Sequence, residues 1–93
     1  MTLDPKAGER QARGARAREL MNSPMFGEVI EAVEKEYRDA MFATRMEDGE
    51  KREALYAEYN GFRRLLKRLV DWENDGEMAS LELEAVKEGK TNV

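Results

Sequence analysis

The stretch "GFRRLLKRLVDW", residues 61–72, sets Arg63, Arg64, Lys67 and Arg68 close together on whatever element carries them. Guanidinium groups that converge on one face bind phosphate through paired N–H donors, so nucleotide or nucleic-acid recognition is one chemistry to weigh. The amino-terminal "ERQARGAR" adds Arg10, Arg13 and Arg16. The residues that would carry a phosphate site are therefore Arg10, Arg13, Arg16, Arg64 and Arg68. A formal net charge of −4 does not forbid such a local patch. Against it stands the ordinary explanation of charged residues on helices, which is solvated surface.

The second set is acidic: Glu28, Glu31, Glu34 and Glu36 fall within a few turns of one another. Helical carboxylate sites for two metals combine glutamates with histidines, and the chain has no histidine and no cysteine. General-base chemistry near neutral pH, thiolate nucleophiles and sulfur-held metals all lose their usual residues. The expectation is a protein that is not an enzyme and takes no cofactor. The single-glycine turns around Gly49 and Gly76 lack the spacing of a phosphate-binding loop.

The elements that must position these residues read as helices. The chain has 93 residues, 39% of them charged and 41% hydrophobic, with only two prolines, which suits long amphipathic helices and a thin core. No run approaches the roughly 18 apolar residues of a membrane span, so the expectation is a soluble, intracellular protein. Three regions are expected. Residues 1–21 form a basic Ala/Arg-rich arm, helical on condition of support, opened by Asp4 and Pro5; its Gly8 and Gly14 each cost about 1 kcal/mol relative to alanine. Residues 22–76 form a helical hairpin, and residues 77–93 a short acidic helix and tail ending near Gly89.

Within the hairpin, Asn22 or Ser23 followed by Pro24 is a strong start signal, and a helix over 23–46 carries the stripe Phe26, Ile30, Val33, Tyr37, Ala40, Thr44. Asp48 and Gly49 supply turn chemistry. A second helix over 50–74 carries Leu55, Tyr59, Phe62, Leu66, Leu69, with Gly76 as its terminator. With a turn near residue 48, antiparallel neighbours have numbers adding to about 96. The stripes then match as Phe26 with Leu69, Ile30 with Leu66, Val33 with Phe62, Tyr37 with Tyr59, Ala40 with Leu55 and Thr44 with Arg52. Glu34 is expected to pair with Arg63. The fold class is all-α: an antiparallel coiled-coil-like hairpin with flanking amino-terminal and short carboxy-terminal helices, in an oligomeric bundle.

The seam leaves apolar side chains at its margins, Val29 with Leu65 and Met41 with Tyr56, and such patches await a partner. The expected protein interface is Met25, Val29, Met41, Tyr56, Leu65, Val70 and Trp72. The expected partners are another copy of the chain or another protein; nucleic acid or nucleotide is the alternative, and no membrane is expected.

The pieces "ELMNSPMF", "EKEYRDAMFAT", "DGEKREALYA" and "LVDWENDGEMA" resemble a family of small helical proteins encoded by tailed bacteriophages and prophages, over about residues 12–83. The likeness lies in turn and core features and carries no catalytic signature. Met41–Phe42 and the arginine-rich "FRRLLKR" depart from it. The resemblance implies a non-catalytic protein of the infected bacterial cytoplasm or of the virion. It would self-associate or dock as an assembly component, or inhibit a host factor, or sequester a signalling nucleotide.

Overall fold

Ser23, at φ −67° and ψ 128°, turns the chain into α2 (Pro24–Phe42), its hydroxyl accepting from the Phe26 N–H at 3.5 Å with Pro24 at the first helical position. Extended backbone at the cap and a residue needing no N–H partner behind it are the local causes of that start. The computed structural model describes residues 4–89 and holds two further helices, α1 (Ala7–Met21) and α3 (Gly49–Lys87). The outermost parts of the expected arm and tail, residues 1–3 and 90–93, lie outside the described residues. The fold is all-α, and no strand occurs among the described residues.

α2 stops at Phe42, four residues before the expected end at 46. The backbone turns because local side chains compete with the helix for its backbone groups: the Thr44 hydroxyl donates to the Met41 carbonyl at 2.7 Å, and the Asp48 carboxylate accepts from the Arg45 N–H at 2.9 Å. Arg52, on the first turn of α3, donates to Thr44 Oγ1 at 3.3 Å and to the carbonyls of Arg45 and Met46, tying the loop to the helix that follows.

α3 is the larger correction. It does not end before Gly76 and restart as a short helix; it runs unbroken from Gly49 to Lys87. Glycine weakens a helix only where nothing compensates its entropy, and here Gly76 lies against α1. A Cβ built on Gly76 would sit 2.8 Å from Gly14 Cα, and one on Gly14 would sit 2.7 Å from Gly76 Cα and 2.8 Å from the Trp72 carbonyl oxygen. The two glycines let backbone meet backbone. The terminator is instead Gly89, at φ 73°, a left-handed conformation that costs glycine little.

The chain divides into two compact units, residues 22–67 and residues 1–21 with 68–93. In the first, α2 and the opening turns of α3 form the hairpin. The expected register holds where contacts are resolved. Tyr37 and Tyr59 meet edge to face with centroids 5.7 Å apart, Phe62 lies 6.2 Å from both, and Thr44 bonds Arg52. The other stripe residues of this unit, Phe26, Ile30, Val33, Ala40, Leu55 and Leu66, are half-buried, and α2 has no fully buried residue.

In the second unit α1 pairs antiparallel with the end of α3. Ala7, Gly14 and Ala17 on one helix and Gly76 and Ala79 on the other are buried. The arm expected to need outside support thus has an intrachain partner. Opposite charges on the two chain ends reinforce it: Arg10 bonds Asp75 and Glu82, Arg13 bonds Asp75, and Gln11 donates to Ser80 Oγ at 2.9 Å.

Candidate interaction surfaces

Arg10 has the most elaborate surroundings in the molecule. Its Nη2 donates to Asp75 Oδ1 at 2.9 Å, its Nε lies 3.1 Å from both Asp75 oxygens, and Nη1 reaches Asp4 at 3.1 Å and Glu82 at 3.2 Å. One guanidinium therefore holds three carboxylates. Its hydrogen bonds hold the Asp75 carboxyl below the usual aspartate value of 3.8, against a smaller opposing effect of desolvation. The same contacts raise the Arg10 pKa, so it stays charged throughout. Asp4 is also lowered, chiefly by the Lys6 N–H it accepts at 2.9 Å.

This arrangement sets a pH response. A depressed carboxylate pKa contributes stability that is full above the unfolded value of 3.8 and is lost as pH falls through the folded value beneath it. The α1 pairing is expected to be constant from neutral pH down to about pH 5 and to loosen below about pH 4. Hydrogen exchange of the α1 amides against pH measures it. Asp75→Asn should lower protection at neutral pH and flatten the profile; an unchanged profile would show that Asp75 does not hold α1.

Arg13 donates to Asp75 at 3.3 Å and lies over the Trp72 ring, 4.9 Å from its centroid. Its Nε, shielded from solvent, finds no hydrogen-bond acceptor, consistent with a guanidinium seated on an aromatic face. Arg10, Arg13 and Arg16 do line one shallow cleft of about 700 Å³, but Asp4, Glu9 and Asp75 line it too. A phosphate there would compete with carboxylates already bonded to Arg10 and Arg13. Arg64 and Arg68 are exposed on α3, one turn apart.

Arg63 departs from expectation. Its guanidinium carbon lies over the Tyr59 ring at 6.0 Å, and no ion pair joins it to Glu34. Glu34 instead lines an open groove of about 440 Å³ on the hairpin, with Tyr37, Arg38, Met41, Phe42 and Tyr59. Sequence reasoning named Met41 but passed over Phe42, which is 83% exposed at the rim; its place in the last turn of α2, off the stripe, was the available signal. Among the described residues no cluster of three or more metal-ligating side chains occurs.

Of the residues expected at a protein interface, Met25, Val29, Tyr56, Leu65 and Val70 are exposed. Met41 is half-buried in the groove, and Trp72 is half-buried under Arg13. The side chains left open therefore fall largely on the hairpin, where Met25 is 64% and Leu65 58% exposed. No helix among the described residues is long and apolar enough to cross a membrane. Compared with protein-family models, curated proteins and solved structures, the chain matches none.

Proposed function

We propose that this chain is a non-catalytic interaction protein whose hairpin is completed by contact with another protein surface. One observation supports the reading above the others: among the described residues no large side chain is fully buried, and the core consists of Ala7, Ala17, Leu69 and Ala79. Burial contributes about 1.5–3 kcal/mol for each large apolar side chain taken from water, and three alanines with one leucine supply little of it. The side chains that would supply it, Met25, Val29, Phe42, Tyr56 and Leu65, stand open on both margins of the hairpin. Exposed apolar area on that scale marks contact surfaces.

The likeness to small phage-encoded helical proteins supplies the setting: a component of the virion or its assembly, or an inhibitor of a host factor, acting in the infected bacterial cytoplasm or the particle. Phosphate recognition is the weaker reading, because Arg10 and Arg13 already hold carboxylates.

Light scattering at low micromolar concentration tests the reading. The expected result is a species larger than one chain, which Tyr56→Gln with Leu65→Gln converts to monomer while helix content stays within about a tenth. A wild-type monomer that unfolds cooperatively, with sharp near-ultraviolet ellipticity from its tyrosines, would overturn it.

A further inference from the structure

Gly61 lies in the interior of α3, exposed, and a Cβ there would meet nothing within 4 Å. Gly14 and Gly76 show within the same chain what a mid-helix glycine permits when a second helix arrives. Gly61 weakens its helix in the same way but has no such neighbour among the described residues. Gly8 and Gly27 are equally open, yet both lie in the first turns of their helices, where glycine costs less.

Helical periodicity places Gly61 and Leu65 on one edge of α3, and Met25, Val29 and Ala32 on one edge of α2. The hairpin register brings Val29 and Leu65, and Ala32 and Gly61, to within a turn of each other, so both edges look out from the same face. That face has a floor of glycine and alanine between apolar side chains, with Val29 48% and Leu65 58% exposed. Glu36 and Glu58 bound it towards the loop, keeping it short.

Charge indicates what covers it. α2 carries Glu28, Glu31, Glu34, Glu36 and Asp39 against Lys35 and Arg38, whereas residues 49–67 carry Lys51, Arg52, Arg63, Arg64 and Lys67 against Glu50, Glu53 and Glu58. One arm of the hairpin is acidic and the other basic. A two-fold axis along the hairpin lays the acidic arm of each copy on the basic arm of the other, so the chain carries its own complement.

Resting on the reading of the chain as an interaction protein, we propose that a second copy occupies this face as a two-fold four-helix bundle. α2 of each copy lies antiparallel on α3 of the other. Gly61 comes within a turn of the partner's Ala32, and Val29 within a turn of the partner's Leu65.

Gly61→Leu separates this contact from folding. The space around Gly61 is open and leucine is the better helix former, so helix content should hold or rise while the dimer dissociation constant rises by about tenfold or more. The chain has no cysteine, so a Val29→Cys chain mixed with a Leu65→Cys chain reports the register: oxidation should join unlike chains faster than like ones. Wild-type assembly by Gly61→Leu, or predominant linkage between two Val29→Cys chains, would overturn this interface while association itself left the broader reading standing. A compact wild-type monomer would overturn both.

Discussion

Gly76→Val is expected to release α1 from the end of α3. Its Cβ would lie 2.8 Å from Gly14 Cα and 3.2 Å from the Arg10 carbonyl oxygen, and neither is a flexible side-chain end that can swing aside. The helices must move apart, and the cost exceeds the usual 1–3 kcal/mol of overpacking because the obstruction is backbone. The separation also lengthens the Arg10 bonds to Asp75 and Glu82, now 2.9 and 3.2 Å. Among the described residues the core holds only Ala7, Ala17, Leu69 and Ala79, so there is little burial to resist detachment. Proteolysis should then cut within residues 7–21 while the hairpin survives as a protected fragment. Gly14→Ala should do the same through the Trp72 carbonyl, 2.8 Å from its Cβ. Protection of α1 in both variants at wild-type levels would show that close approach at these glycines does not hold it.

The same pair explains how far the sequence could be read. The start of α2 and the hairpin register were legible because each rests on a local signal, a cap and a 3–4 alternation, that the structure keeps. The continuation of α3 through Gly76 was not. Gly14 read as a weakness in its helix and Gly76 as a terminator, and their value appears only when residues far apart in sequence are brought together. A faint signal did exist. Ala7, Gly14 and Ala17 line one side of α1, Gly76 and Ala79 one side of α3, and the two chain ends have opposite charge. That complementarity was visible, but its use within one chain depended on α3 being long enough to present Asp75 and Glu82 to Arg10. The candidate surface divides likewise. Exposed margins followed from the stripe, whereas the Arg63 contact with Tyr59 depended on side-chain geometry that spacing alone does not give.

The hairpin has its own point of failure, the three-ring cluster of Tyr37, Tyr59 and Phe62. Phe62→Ala removes the ring that lies 6.2 Å from both tyrosines. Truncating a fully buried phenylalanine costs about 3–5 kcal/mol; Phe62 is half-buried, so about 2 kcal/mol is expected, including the ring contacts themselves. The loss falls where α2 has no fully buried residue to compensate it. α2 should therefore open before α1, which is held separately through Gly14 and Gly76. Hydrogen exchange resolves the two events: amides of residues 28–42 should lose protection by about a factor of 30, the equivalent of 2 kcal/mol, while those of residues 10–21 stay near wild type. Phe62→Leu, which keeps most of the volume, should restore more than half of the loss. Equal loss in both helices would mean that the two units unfold as one, and the hairpin would no longer be a separately stabilised element.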